Sequence, residues 1–385
     1  MSHATRINLL HIVLEMDVGG LQRLIADTTL AMDRERFNVE VVCLDELGVF
    51  AEQLRAQGIR VTLLRRKDQH LLRYPLRLAR FMREHGTHVA HMHPGSFIFG
   101  VLAAKLARVP ASIYTEHGRN STEDPKRLRE DRVSGLLVDR IIAVSHELEQ
   151  YLAASVHMPA RKISTVLNGI PVERFGGGAR PAGLLAEFGL AADTPIVGTV
   201  ARLDAIKDQL TMLHAFALMR ERVPRAQLLL VGDGPMRVEL EAAIARLGLT
   251  GAVTITGQRR DIPDLLRLFD VFLLSSQREG TSISLLEAMA SGVAPVVTKV
   301  GGNPAVVRDG IDGLLVPAAD PAALAEAAAS LLLDPAKRQR LADSAKARVR
   351  ETFSMDAMVR AYVRIYDEAL LSKRRSRHLV PAVAR

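Results

Sequence analysis

Short apolar runs alternate with amphipathic segments along most of the chain, and this alternation restricts its fold more than any other feature. In the first half the apolar runs predict strands at Ile7–Leu14, Val39–Leu44, Arg60–Leu64, His88–His91, Ala111–Thr115 and Arg140–Val144. The segments between them have the periodicity of helices. Strands that alternate with helices are typical of a parallel sheet covered by helices on both faces. We therefore predict a doubly wound α/β fold.

A dense cluster of chain breakers interrupts this pattern at residues 168–195, where Asn-Gly, Gly-Gly-Gly and three prolines occur. The alternation then restarts, with strands predicted at Ile196–Ala201, Gln227–Val231, Val253–Thr256, Val271–Leu274 and Ala294–Val297. We predict two Rossmann-like domains, over 1–170 and 171–352, that face each other across a cleft. Residues 353–371 are expected to form a helix that packs back toward the first domain, and 372–385 a basic flexible tail.

Composition excludes several classes of protein. An apolar fraction of 48% is enough for a large core, and a single cysteine forbids an intrachain disulfide and fits a reducing compartment. No apolar run approaches the ~18 residues of a membrane span, and no cleavage site follows the first apolar run. Of the net charge of +8, five charges lie in the last fifteen residues, which leaves too little for nucleic-acid binding. We expect a cytoplasmic protein with no nucleic-acid partner.

Ligands of doubly wound sheets bind at the carboxyl ends of the strands. After the first strand, Gly19 and Gly20 open a helix, where backbone amides favour an anion; a plain turn is the alternative. After Ile196–Ala201, Arg202 and Lys207 could neutralise a diphosphate, although two solvated surface charges are an open alternative. His91-x-His93 is a weak metal pattern, and the chain has no Asp-x-Asp pair, so we expect no metal.

The segment 278–292, which follows the predicted strand Val271–Leu274, is the richest in functional groups. Glu279 is expected in the loop and Glu287 in the first helical turn. Ser284-x-x-Glu287 also reads as a capping box, which would give Glu287 a purely structural role. The amides of Ser282 and Ile283 would suit a phosphate.

Glu279-x7-Glu287 followed by Ala-Met-Ala-Ser-Gly resembles the signature of the family 4 (group 1) retaining glycosyltransferases with the GT-B fold. The resemblance covers residues 7–371 and includes, in order, the following segments: Val18-Gly19-Gly20-Leu21, Asn168-Gly169-Ile170-Pro171, Arg202…Lys207, Val231-Gly232-Asp233-Gly234-Pro235 and Val300-Gly301-Gly302-Asn303. Within the family, Glu116-His117-Gly118-Arg119 is similar to sugar transferases of exopolysaccharide systems associated with exosortase and PEP-CTERM. Thr281-Ser282 replaces a more usual Phe-Gly pair.

The resemblance implies a role for each matching position. It implies contacts with the donor diphosphate for Gly20, Arg202, Lys207 and the amides of Ser282 and Ile283, and places Gly19, Gly280 and Thr281 among the donor-binding residues. Glu287 would hold the ribose and Glu279 the sugar. Gly257 and Arg259 would lie beside the base, and His117 would contact the sugar at its reacting face. The implied catalytic residues are Glu279, Arg202, Lys207 and His117.

The implied reaction transfers a sugar from a UDP- or GDP-sugar to a lipid-linked or oligosaccharide acceptor in bacterial exopolysaccharide or cell-surface glycan synthesis. It proceeds with retention of configuration and without a metal or other cofactor. A nucleotide-sugar epimerase with the same fold and a non-catalytic scaffold of a polysaccharide assembly are the alternatives.

Residues 65–83 carry seven basic residues and one acid. They predict either a helix on the anionic inner face of the plasma membrane or an ordinary helix with a solvated basic side.

Overall fold

The structure is a computed structural model that describes residues 6–67, 73–118, 124–176 and 178–378, without the side chains of 374–378. The chain divides into two compact units. The first comprises the residues up to Asn168 together with those from Met355 onward, and the second runs from Gly169 to Ser354.

The N-terminal unit is built on a seven-stranded parallel sheet with the order β3-β2-β1-β4-β5-β6-β7. Its strands are β1 (Ile7–Val13), β2 (Phe37–Cys43), β3 (Arg60–Leu63), β4 (Val89–Met92), β5 (Ala111–Glu116), β6 (Arg140–Ala143) and β7 (Ile163–Thr165). Its helices are α1 (Gly20–Ala31), α2 (Val49–Ala56), α3 (Tyr74–Glu84), α4 (Phe97–Ala107), α5 (Pro125–Leu137) and α6 (His146–Ala154). The strands are nearly continuous apolar runs because helices cover both faces of the sheet.

The second unit repeats this arrangement with six parallel strands in the order β10-β9-β8-β11-β12-β13. The strands are β8 (Ile196–Val200), β9 (Gln227–Val231), β10 (Val253–Gly257), β11 (Val271–Leu274), β12 (Ala294–Thr298) and β13 (Leu314–Val316). The helices are α7 (Ala182–Glu187), α8 (Gln209–Arg222), α9 (Arg237–Arg246), α10 (Ile262–Leu266), α11 (Ile283–Ala290), α12 (Asn303–Val306), α13 (Pro321–Leu333) and α14 (Pro335–Thr352). Each unit is therefore a doubly wound Rossmann-like domain.

Helix α15 (Met355–His378) returns to the N-terminal unit. It packs on α1 and β5, and buries Met358, Tyr362 and Tyr366. The structure divides the chain between Asn168 and Gly169, two residues before the expected boundary. Residues 372–378, expected to belong to the tail, continue α15, while 379–385 lie outside the described residues.

Helix α3 bears on the two interpretations of the basic segment 65–83. Pro75, Leu78 and Met82 form an apolar ridge on α3, and all three are buried. Arg73, Arg80 and Arg83 are exposed, while Leu71 and Leu72 lie outside the described residues. Burial of this ridge favours an ordinary helix with a basic outer side, and binding to an anionic membrane stays a prediction. None of the described helices combines the length and the apolar character required to cross a bilayer.

Strand order identifies one special position in each sheet. In the first, β1 lies between β2 and β4; in the second, β8 lies between β9 and β11. The direction of winding reverses beside β1 and β8. In the first sheet the loops that leave β1 and β4 therefore diverge and open a crevice at the carboxyl edge, and in the second sheet the loops that leave β8 and β11 do the same. The loops after β8 and β11 carry Lys207 and Glu279, and those after β1 and β4 carry Gly20 and His93.

Candidate functional site

In the second unit the loop after β12 lies directly against the loop after β11. The Gly302 amide donates to the Glu279 carbonyl at 3.1 Å. A Cβ atom on Gly301 would lie 1.8 Å from the Glu279 carbonyl oxygen, and one on Gly302 would lie 2.2 Å from that of Gly280. Any larger residue would displace the backbone that carries Glu279, and this explains why both positions are occupied by glycine.

A similar contact joins the loops after β8 and β9. A Cβ atom on Gly232 would lie 2.0 Å from the Ala201 carbonyl oxygen, and one on Gly234 would lie 2.3 Å from that of Leu203. The Leu203 amide also donates to the Asp233 carbonyl at 3.0 Å. The Gly-Asp-Gly segment therefore fixes the backbone on both sides of Arg202.

Lys207 and Glu279, predicted separately from the sequence, form an ion pair. Lys207 Nζ lies 2.6 Å from Glu279 Oε1, and the hydroxyl of Ser276 donates to the same oxygen at 2.7 Å. The Glu279 side chain is 6% exposed and that of Lys207 25%. Oε2 of Glu279 accepts no hydrogen bond from the described part of the chain, which leaves this oxygen for a ligand.

The backbone around Lys207 is tied to the end of β11. Lys207 ends a short 3-10 turn, Ala205–Lys207, in which the amides of Ile206 and Lys207 donate to the Asp204 carboxylate. The hydroxyl of Ser275 donates to the carbonyl oxygens of Lys207 and Asp208, at 2.9 and 2.8 Å. The backbone of the turn is therefore held by hydrogen bonds that do not involve the Lys207 ammonium group.

Arg202 lies in the same loop, and its side chain is exposed. Gln209 Nε2 holds the Arg202 carbonyl at 2.9 Å, so the backbone is anchored while the guanidinium group faces solvent. No carboxylate of the described residues lies within ion-pair distance of it. Geometry alone is compatible with both alternatives for Arg202, a phosphate contact and a solvated charge.

Helix α11 corrects the interpretation of Glu287 as a capping residue. The N-cap is Ser282, whose hydroxyl accepts from the Leu285 amide, and not Ser284. Glu287 is therefore the fifth helical residue, beyond the first turn, and is 7% exposed. A capping box needs its Glu three residues after the cap, so that alternative and the placement in the first turn are both wrong. Thr281 and Ser282 are buried, and the first amides of α11 have no acceptor within the helix.

The guanidinium group of Arg259, which is expected to lie beside the base of the donor, is already held by two ion pairs within the protein. Its guanidinium group pairs with Asp261 at 2.7 Å and with Glu187 at 2.5 Å. These carboxylates raise the pKa of Arg259 further above its usual value. Gly257, at the end of β10, has a φ of +72° and accepts the Gly232 amide at 3.0 Å.

In the N-terminal unit, Gly19 caps α1 and Gly20 is its first residue. The loop before them is hydrogen-bonded to the loop between β2 and α2, since the Met16 amide donates to the Leu47 carbonyl at 3.1 Å. A Cβ atom on Gly20 would meet nothing within 4 Å, so the space beside it is open.

His117, the remaining predicted residue, belongs to a histidine cluster of which the sequence pattern indicated only the pair His91 and His93. Strand register places His11 of β1 opposite His91 of β4, and His93 and His117 follow the ends of β4 and β5. His93 joins His11 at 3.1 Å and His117 at 3.1 Å through its two ring nitrogens. The rings of His11, His91 and His93 are buried. Burial lowers the pKa of His11 to about 4 and those of His91 and His93 well below the usual value.

The cluster has some features of a metal site, since His11, His91 and His93 each offer a ring nitrogen within 4.8 Å of the others. However, both nitrogens of His91 already bond to hydroxyls, those of Tyr366 and Thr115, each at 2.7 Å. A buried divalent cation would also need a compensating negative charge, and this trio contains none. Nε2 of His11, however, is buried and has no hydrogen-bond partner among the described residues. The hydrogen bonds therefore account for His91 but not for the whole cluster, and the absence of a metal stays a prediction.

Two family models match the chain in tandem. The model described as Glycosyltransferase Family 4 matches residues 18–174, and the model described as Glycosyl transferases group 1 matches residues 185–348. The first match covers most of the N-terminal unit and extends to residue 174 of the second, and the other match lies within the second unit.

Individual proteins are similar over most of their length. The UDP-Gal:alpha-D-GlcNAc-diphosphoundecaprenol alpha-1,3-galactosyltransferase of Escherichia coli is 26% identical over 332 residues, which cover 81% of this chain and 84% of that protein. The putative glycosyltransferase EpsF of Bacillus subtilis is 28% identical over 77% of this chain and 80% of its own. Among solved structures, HepE of Anabaena in complex with UDP and glucose has a TM-score of 0.84 at 22% identity, over 94% of this chain and all of that one.

The motif segments, the two tandem Rossmann-like units and these comparisons agree. The chain belongs to the family 4 (group 1) glycosyltransferases with the GT-B fold.

Proposed function

We propose that the second unit binds a nucleoside-diphosphate sugar and that the enzyme transfers its sugar with retention of configuration to a lipid-linked or oligosaccharide acceptor. The observation that carries this proposal is the Lys207–Glu279 pair, which places a cation and a buried carboxylate at the switch point of the second sheet. Similarity to the galactosyltransferase, whose name specifies a UDP-sugar and a diphosphoundecaprenol acceptor, supports both substrate classes. The relation to EpsF supports a place in bacterial glycan synthesis.

The proposed chemistry follows from where charge develops. When the glycosidic bond breaks, the diphosphate gains negative charge, and fixed cations and amides stabilise it most in the transition state. Lys207, Arg202 and the first amides of α11 supply those groups. These groups take the place of a metal, and we propose that the reaction needs no metal or other cofactor.

Glu279 is proposed to contact the sugar through Oε2, because Oε1 is already held by Lys207 and Ser276. A carboxylate held at one oxygen has its orientation fixed before the substrate arrives, which avoids reorganisation during the reaction. Glu287 is proposed to hold the ribose. Contact of Gly257 and Arg259 with the base, and of Gly19, Gly20 and His117 with the donor, stays a prediction.

A panel of UDP-, GDP- and ADP-sugars tests the proposal through thermal stability. A ligand at 100 times its Kd adds ~2.7 kcal/mol to the free energy of unfolding. One nucleotide class should raise the Tm, and Arg202→Ala should reduce that rise. Arg225→Ala is the control and should leave the rise unchanged, because Arg225 is an exposed arginine of the same unit that pairs with Asp193. Absence of any shift across the panel would contradict the proposal.

The products separate the alternatives. A transferase releases the nucleoside diphosphate in step with acceptor glycosylation. An epimerase converts the donor when no acceptor is present, and a scaffold binds without turnover. Donor conversion in the absence of acceptor, with the sugar still attached to its nucleotide, would replace the proposal with the epimerase.

A further inference from the structure

His93 is the best-anchored member of the histidine cluster. Its amide donates to the Ile12 carbonyl at 3.1 Å, and the hydroxyl of Ser96 bridges the carbonyls of His93 and Ile12, each at 2.8 Å. Its ring stacks on that of His91, with 4.5 Å between the centroids. The His91 ring is in turn fixed by Tyr366 of α15.

His117 has a different environment. It follows the last residue of β5, is only partly buried, and precedes Gly118, whose φ is +149°. Among the described residues, the side-chain hydrogen bond that holds its ring is that between Nε2 and Nδ1 of His93, at 3.1 Å. The orientation of the His117 ring therefore depends on His93, and Nδ1 is the nitrogen that the other histidines leave to a ligand.

The two hydrogen bonds of His93 also couple the positions of the ring protons. A neutral imidazole has one nitrogen that donates and one that accepts. If His93 donates to His117 from Nδ1, it must accept from His11 at Nε2, and all three rings then carry their proton on Nδ1. The reverse arrangement puts all three protons on Nε2. A mixture would place two protons or two lone pairs against each other at 3.1 Å.

We propose that His93 is a positioning residue, which with His11 behind it fixes the ring orientation and the tautomer of His117, the residue for which the family resemblance implies a contact with the sugar. This inference rests on the proposed function, through the contact between His117 and the sugar. The chain of hydrogen bonds presents His117 as a neutral ring with one defined role at Nδ1, donor or acceptor. A sugar hydroxyl can complement either role, since it both donates and accepts.

A matched pair of substitutions tests which side of His93 matters. Asparagine has its polar atoms at the δ position, where Nδ1 faces His117, and glutamine at the ε position, where Nε2 faces His11. His93→Asn should keep kcat within about 3-fold of wild type, and His93→Gln should lower it by about 10-fold or more, the loss expected for one hydrogen bond. Donor KM and the affinity for the free nucleoside diphosphate should stay unchanged in both.

A merely structural role predicts a different order, because glutamine fills the space of histidine better than asparagine does. Activity that follows the Tm of the variants, with His93→Gln at least as active as His93→Asn, would overturn the proposal. His88→Asn provides the control at the opposite end of β4, where Nδ1 of His88 accepts the Asn8 amide at 2.9 Å. It should leave kcat unchanged.

A second measurement does not depend on turnover. Long-range ¹H–¹⁵N spectra of protein labelled in histidine, assigned with His11→Asn, His93→Asn and His117→Gln, report the tautomer of each ring. The proposal predicts one shared tautomer for His11, His93 and His117. Different tautomers, or stoichiometric zinc in the purified wild type that is lost in His93→Asn, would overturn it. A wild type that shows the shared tautomer but neither binds nor converts a nucleotide sugar would refute the proposed function and, with it, the role of His93 at a sugar.

Discussion

Lys207 Nζ lies 2.6 Å from Oε1 of Glu279, so two residues on neighbouring strand-end loops form one largely buried ion pair. Exposed pairs contribute little to stability, but removal of one partner from a buried pair leaves an uncompensated charge. The pair holds the loop after β11 in place, and in the proposed mechanism it also supplies groups for catalysis. Experiments on either residue must separate these roles.

The structural role predicts non-additive effects on stability. Among the described residues, Lys207→Met leaves the Glu279 carboxylate with Ser276 alone as a partner, so the free energy of unfolding should fall by roughly 1–3 kcal/mol. Addition of Glu279→Gln removes the stranded charge, and the double variant should be more stable than Lys207→Met alone. Urea denaturation of the single and double variants measures this. Additive losses would show that the two groups do not interact.

Removal of Arg202, the exposed cation that we propose contacts the diphosphate, should affect the reaction rather than the fold. Arg202→Ala should lower kcat/KM by roughly 100-fold with little change in Tm, while Arg225→Ala leaves both unchanged. EDTA should leave wild-type activity intact, because cations of the protein replace the metal. Strict dependence on added Mg²⁺ or Mn²⁺ would contradict this mechanism.

Glu287 should behave as a binding residue. A contact to the ribose is made equally in the bound substrate and in the transition state, so its loss raises KM more than it lowers kcat. Glu287→Gln should therefore weaken donor binding and leave kcat within a few-fold of wild type. Because the side chain is buried, Tm must be measured beside the kinetics. A large loss of kcat at unchanged KM would contradict the ribose assignment.

The buried histidines should make the protein sensitive to acid. The pKa of His11 is lowered to about 4 in the folded state, against 6.5 when it is exposed, and those of His91 and His93 lie well below 6.5. Between pH 6.5 and about 4 the unfolded chain binds more protons than the folded one, so stability present above pH 6.5 is lost as the pH falls. Each such histidine contributes up to ~1.4 kcal/mol per pH unit.

Urea denaturation at pH 7.5, 6.5 and 5.5 measures this loss. Since His11→Asn removes one of the histidines whose pKa is lowered by burial, the dependence of its stability on pH should be shallower than that of wild type. The same dependence in both proteins would show that His11 is not buried in its neutral form.

The strands at the switch points could be predicted because each is a single apolar run with a clear end. Ile196–Ala201 and Val271–Leu274 match β8 and β11 within a residue, which placed Lys207 and Glu279 at strand ends. Strands β7 and β13 were not predicted. They are only three residues long, and Ile163–Thr165 contains two hydroxyl residues, so neither produces a pattern that stands out from a loop.

The contacts within the site could not be predicted, because they depend on strand register and on loop conformation. His11 alone, in an apolar run, looks like an ordinary core residue. Only the parallel pairing of β1 with β4 places it beside His91, and a search for histidines at matching distances from the ends of predicted neighbouring strands could have found the cluster. The capping box failed for a related reason. Ser282 and Ser284 are both good N-caps, and the path of the preceding loop selects Ser282.

The most direct test of the central claim, that Glu279 acts on the donor sugar in the transfer reaction, is the comparison of kcat with donor affinity in Glu279→Gln. This substitution keeps the size of the side chain and removes the charge that the reacting sugar would feel most during bond cleavage. We expect kcat to fall by roughly 100-fold or more, while the Kd for the donor changes only a few-fold. Near wild-type kcat with normal donor binding would contradict the account.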